Sequence, residues 1–172
     1  GTLMPVYRVS VGPRFAIEAT GLTEKQARRD LLALLEGQPF DDDLLQQWVD
    51  ERRRALQGSG HYRAKVSAEI GTSGDPIPVR MTVEPGPKFA VERVEIAGNS
   101  QVDSETLRGL IATRKKGLPL IQKGRLTDAD LSADVSSVLG YYQTHGWIAA
   151  KVEDSVAEGS KPDLLVVAIR IQ

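Results

Sequence analysis

Cysteine is missing from all 172 residues, which removes disulfides, thiolate nucleophiles and thiolate-held zinc together. The absence suits a compartment where stray thiols would be oxidised, without requiring one. Long apolar runs are missing too. The longest, Leu31–Leu35 and Leu164–Ile169, fall far short of the roughly 20 residues a membrane-spanning helix needs. A large charge of either sign is also absent. At a formal −1, the chain lacks the basic excess of domains whose main partner is a polyanion, so nucleic acid is not an expected partner.

What remains is ordinary for a globular protein, with 41% hydrophobic and 26% charged residues. The length admits one medium domain or two small ones, and an internal repeat chooses between them. YRVSVGPRF (7–15) matches MTVEPGPKF (81–89), and each continues into Ala, Ile or Val, then Glu. GHYRAKV (60–66) matches GWIAAKV (146–152), and Val79, Met81, Val83 match Val167, Ile169, Ile171. The offset therefore grows along the chain, which places insertions in the connections of the second copy.

Each copy opens with a predicted strand, Phe15–Ala19 or Phe89–Ala97. A helix follows. Thr23 with Gln26 spells a capping box, and Ala27, Leu31, Leu34 and Leu35 recur at helical spacing before Gly37. In the second copy Asp103 caps and Leu107, Leu110 and Ile111 share a face. A second helix comes next, capped by one of Asp41, Asp42 or Asp43 and burying Leu44, Leu45, Trp48, Val49, Ala55 and Leu56 before Gly58. Its counterpart is capped by Thr127 and carries Leu131, Val135, Val138, Leu139 and Tyr142 on one stripe before Gly146. Two strands close each unit: Tyr62–Ile70 with Val79–Val83, and Trp147–Asp154 with Leu164–Ile171. Their connections, GTSGDPIP and SVAEGSKPD, are rich in turn-forming residues.

The predicted fold class is α+β: two consecutive β-α-α-β-β modules, each a three-stranded mixed sheet covered on one face by two helices. The expected boundaries are 12–85 and 86–172. Residues 1–11 are expected to combine a non-native start at Gly1-Thr2-Leu3 with the last strand of a preceding module, so that the parent protein holds at least three.

A Gly-Asn turn after the first strand and a Gly-aromatic-x-x-Ala-x-Val entry to the second are carried by VERVEIAGN (91–99) and LGYYQTHGWIAAKVE (139–153). With the skeletal matches TGLTEKQARRDLLALLEGQPF and LQGSGHYRAKV in the first copy, these resemble POTRA domains. The resemblance implies a non-catalytic arm in the periplasm, part of an outer-membrane protein of the BamA, TamA or two-partner-secretion kind and covalently linked to a barrel. Its implied partners are unfolded outer-membrane or secreted polypeptides and accessory lipoproteins. It also implies that the second strand is the exposed edge, where unpaired backbone groups could take up an extended client. The candidate strips are Tyr62, Arg63, Ala64, Lys65, Val66 and Ser67 in the first copy, and Trp147, Ile148, Ala149, Ala150, Lys151 and Val152 in the second. Arg63, Lys65 and Lys151 could there discourage uncontrolled edge pairing, or simply be solvated strand residues.

A basic stretch, RKKGLPLIQKGR (114–125), holds Arg114, Lys115, Lys116, Lys123 and Arg125 around Leu118, Leu120 and Ile121. It is either a candidate contact for a neighbouring module, accessory subunit or anionic headgroup, or a solvated loop with one apolar anchor. No catalytic residue, metal or cofactor is expected. His61 and His145 occupy different positions of their units and sit beside helix-ending glycines; Asp41–Asp43 reads as a helix start; Gly58-Ser59-Gly60 ends a helix and lacks the Lys-Ser/Thr of a phosphate loop. The alternative is a KH-like RNA-binding module. Neither Gly37-Gln38-Pro39-Phe40 nor Gly117-Leu118-Pro119-Leu120 supplies the G-x-x-G such a fold uses.

Overall fold

The computed structural model describes residues 12–35, 39–113 and 124–172. By contacts the chain divides into two compact units. One comprises the described residues up to Val49 with Val66–Val83; the other comprises Asp50–Lys65 with Glu84–Gln172.

The first unit contains β1 (Phe15–Thr20), α1 (Glu24–Leu34), the start of α2 (Asp42–Gly58), most of β2 (Lys65–Ile70) and β3 (Ile77–Glu84). The capping box is formed: Thr23 Oγ1 accepts from the Gln26 N–H at 3.2 Å, and Gln26 Oε1 accepts from the Thr23 N–H at 3.1 Å. Among the three aspartates, Asp41 caps α2 by accepting from the Leu44 N–H at 3.0 Å, while Asp42 and Asp43 lie in its first turn. Those carboxylates face the positive end of the helix dipole. The sheet runs β1-β3-β2, with β1 parallel to β3 from Phe15 opposite Ile77 to Thr20 opposite Thr82. Alternate β3 residues Val79, Met81 and Val83 are buried, as are Ala27 and Leu31 of α1 and Leu44, Leu45, Trp48 and Val49 of α2. A period of two on the strand and of three to four on the helices is what a sheet covered on one face requires.

In the second unit, β4 (Ala90–Ala97), α3 (Ser104–Leu110), α4 (Asp128–Thr144), β5 (Val152–Glu158) and β6 (Leu164–Ile171) repeat the order. The sheet runs β4-β6-β5, parallel between β4 and β6 and antiparallel between β5 and β6. Asp103 caps α3 and Thr127 caps α4, as expected. Two adjoining clusters form the core. Phe89, Val91, Leu126, Leu131, Leu165 and Val167 make one; Leu107, Ile111, Val138, Tyr142, Ile169 and Ile171 make the other; Val94 touches both. Each fully buried aliphatic side chain contributes roughly 1.5–3 kcal/mol.

Asp134, a β-bulge and the steric backing of two turn glycines were not predicted, although the turn at Gly98 itself was. Asp134, 1% exposed, lies on the apolar stripe of α4 and accepts from the backbone N–H groups of Ala112 and Thr113 at 2.5 and 3.0 Å. A carboxylate there is tolerated because the chain leaving α3 brings it two otherwise unpaired donors. A β-bulge falls between Val91 and Arg93. Glu92, within it, accepts from the Ser160 N–H at 2.7 Å and so ties β4 to the β5–β6 turn. Finally, Gly21 (φ +76°) and Gly98 (φ +82°) follow the first strand of each copy in the left-handed region, and a Cβ on either would overlap a carbonyl oxygen, that of Val83 or Ile171. Gly21 is thus the first copy's equivalent of Gly98, although no Asn follows it.

The strand limits need correction. β2 begins at Lys65, not Tyr62, and β5 begins at Val152, not Trp147, and continues to Glu158. Gly60 (φ +100°) and Gly146 (φ +98°) lie just past the ends of α2 and α4, and the chain then makes one more turn, closed by Ala64 N–H to His61 O at 3.0 Å and Ala150 N–H to Trp147 O at 3.1 Å. Aromatic and β-branched residues in those turns imitate strand composition. Ser155–Glu158, taken as connection, are strand.

Candidate functional site: the free sheet margins

Each strand order leaves the second strand of the module, β2 or β5, at a margin, as the family pattern implied. The opposite margin of the second sheet, β4, is partly occupied, because the Val91 N–H donates to Gly124 O at 2.9 Å. Hydrogen-bonded residue pairs alternate along an antiparallel ladder. Lys151 and Gln172 exchange both bonds at 2.9 Å, and Gly159 N–H donates to Leu164 O at 2.8 Å. The residues directed at β6 are therefore Lys151, Glu153, Ser155, Ala157 and Gly159. Those directed outward are Val152, Asp154, Val156 and Glu158, whose backbone groups have no hydrogen-bond partner among the described residues.

The outward set shares one face. Val152 and Val156 pack against the two core clusters, so Asp154 and Glu158 lie on the helix-covered side with them. Beside this strand sits Tyr62. Its hydroxyl is pushed up to about 12 by burial first, then by the charge of Asp128 and a hydrogen bond to it, then by Asp154, with Arg63 opposing. Asp128 is itself held by the buried Gln57, whose Nε2 donates to Asp128 Oδ2 at 2.8 Å while its Oε1 accepts from the Asp128 N–H at 3.1 Å. Arg125 Nη1 donates to Gly58 O at 2.6 Å.

Of the predicted strips, Lys65, Val66 and Ser67 lie in β2 and Val152 lies in β5; Lys151 precedes β5 but pairs with Gln172. Tyr62, Arg63 and Ala64, and Trp147, Ile148, Ala149 and Ala150, belong to the turns before the strands. Arg63 is not a free edge cation. Its Nη1 lies 3.0 Å from Glu158 Oε1 and its guanidinium 5.1 Å from the Phe89 ring centroid. Trp147 packs on Tyr142 at 5.4 Å between centroids, yet remains 39% exposed, and Ile148 is 80% exposed. This turn is an apolar knob at the head of β5. Sequence reasoning missed Asp154, Val156 and Glu158, which alternation from Val152 would have found had the strand been extended.

Arg125 is the one predicted residue of the basic stretch within the described residues; Arg114, Lys115, Lys116, Leu118, Leu120, Ile121 and Lys123 lie outside them. His145 Nδ1 lies 2.8 Å from Tyr141 O, on the helix end where it was expected, and His61 Nδ1 lies 2.9 Å from Gly86 O. Among the described residues no group of three or more His, Cys, Asp or Glu could hold a metal, and no helix is long and apolar enough to cross a membrane.

Residues 89–172 match the POTRA family, described as a surface antigen variable number repeat. A Treponema pallidum (strain Nichols) protein whose name links it to outer membrane protein assembly is 26% identical over 127 residues, 72% of this chain. The chain spans 15% of that relative's length. Among solved structures, BamA POTRA domains 3–5 of Haemophilus influenzae align with 93% of this chain and 60% of that one, at 14% identity and a TM-score of 0.62. BamA of Haemophilus ducreyi lacking POTRA domains 1–3 aligns with 96% of this chain and 29% of that one, at 20% identity and the same TM-score. The fold is shared.

Proposed function

With residues 89–172 belonging to the POTRA family and residues 15–84 repeating its β-α-α-β-β order, we propose that the chain is a periplasmic scaffold that takes up extended segments of unfolded outer-membrane or secreted polypeptides by backbone pairing at its sheet margins. It is a non-enzymatic module. The observation that supports this reading most directly is the row of unpartnered outward backbone groups on Val152, Asp154, Val156 and Glu158. An exposed strand edge gives an extended client main-chain hydrogen bonds with little demand on its sequence. The apolar knob of Trp147 and Ile148 extends the margin and supplies the non-directional part of the contact.

On this reading the parent protein carries the module on the periplasmic side of the outer membrane, joined to a barrel and accessible to accessory lipoproteins. The far longer relative whose name links it to outer membrane protein assembly supports that placement. The isotopically labelled chain, titrated with an extended barrel-derived peptide, is expected to show amide shifts concentrated at Val152–Glu158. Asp154→Pro removes an outward donor without touching the bonds to β6 and should abolish the shifts, whereas Asp154→Asn should keep them. Shifts confined to other surfaces would sink the reading.

A further inference from the structure

The side chains flanking the free margin of β5 also carry information about what would sit there. Val152, Asp154, Val156 and Glu158 alternate apolar and acidic on the helix-covered face. Glu158 already pairs with Arg63 at 3.0 Å. Asp154 is exposed and forms no ion pair among the described residues, and the groups packed around Tyr62 add the charge of Asp128 on the same side. The opposite face of β5 is different. There Glu153 stands across the ladder from Arg170 and two residues from Lys151, so its charge is offset. In β2 the covered side reads Val66, Ala68, Ile70, with no charge at all.

We infer that the β5 margin is selective: it favours extended segments in which an apolar residue and a Lys or Arg alternate on one face, the apolar residues over Val152 and Val156 and the cation against Asp154. The inference rests on the backbone-pairing reading above and adds to it a substrate class. An opposite charge directly across a strand pair stabilises it and a like charge opposes it. The same rule disfavours a second copy of this chain as the occupant, since pairing β5 with β5 would gather the acids of both strands into one ladder.

The test uses the labelled full chain and three peptides of the pattern Val-Thr-X-Thr-Val-Thr-X-Thr-Val, with X as Lys, Gln or Glu. All three should shift the Val152–Glu158 amides. The Lys peptide should bind about threefold to tenfold more tightly than the Glu peptide, with Gln between them. The preference should shrink at high salt and disappear in Asp154→Asn, in which the affinities of the Lys, Gln and Glu peptides converge. Equal affinities of all three, with shifts at β5, would overturn the charge selectivity while leaving backbone pairing intact. No β5 shifts with any peptide would overturn the pairing reading itself. A preference that persists in Asp154→Asn, or peptide-free dimerisation through β5, would likewise reject the inference.

Discussion

Gln57 and Asp128 are joined twice, the side-chain amide of one meeting both the backbone N–H and the carboxylate of the other at 3.1 and 2.8 Å. The glutamine is 3% exposed, so the last turn of α2 supplies buried capping groups to the first turn of α4. Residues 50–65 are thereby built into the second compact unit.

Gln57→Ala leaves the Asp128 N–H and carboxylate without these partners and is expected to destabilise the second unit by about 1–3 kcal/mol. Gln57→Glu, which sets a carboxylate against a carboxylate, should cost more. Hydrogen exchange of the β6 amides, read at several denaturant concentrations, measures both. Wild-type protection in Gln57→Ala would show the pair to be energetically silent.

Asp134→Asn preserves size but turns an amide N–H₂ toward one of two backbone donors. A loss of about 1–3 kcal/mol is expected, together with faster exchange of the Ala112 and Thr113 amides. Unchanged exchange at those two positions would contradict the assigned anchoring.

Gly98 and Gly86 both have positive φ, but only Gly98 is backed by a carbonyl. Gly86→Ala should cost about 1 kcal/mol for the left-handed backbone alone. Gly98→Ala must also displace Ile171 and should exceed it by at least about 1 kcal/mol. Paired denaturation curves compare them, and equal losses would refute the role of the clash.

Tyr62 holds its proton more tightly in the folded chain, being raised from 10 to about 12. Its contribution is fully present below pH 10 and is lost as the pH climbs toward about 12, where the unfolded chain has released a proton that the folded one retains. Stability should fall across that window, and Tyr62→Phe should flatten that part of the profile. Phenolate absorbance should lose its highest-titrating component in the variant. Loss of a component near pH 10 instead would place the ring in water.

The helices were legible because their signals are local. Thr23, Asp103 and Thr127 each bond within three residues, and the stripe from Leu131 to Tyr142 follows from the helical period alone. The strand starts were not. Trp147 and Ile148 have strand composition, but the preceding glycine and the packing of Trp147 on Tyr142 commit them to a turn. Asp134, Glu92 and Gln57 were invisible for another reason: their partners lie 21 to 71 positions away, and no periodicity encodes such a meeting. The second strand of each unit was expected at a sheet margin and lies there, but β5 was started about five residues early, so Asp154, Val156 and Glu158 went unnamed.

Two fixed feet flank the interval between Thr113 and Gly124. Asp134 clamps the upstream one, and the Val91 N–H and the Gly58 carbonyl hold the downstream one through Gly124 and Arg125. Both anchors are groups distant in sequence, so the end of α3 and the approach to α4 are fixed by Asp134, Val91 and Gly58 and not by local helix or strand signals.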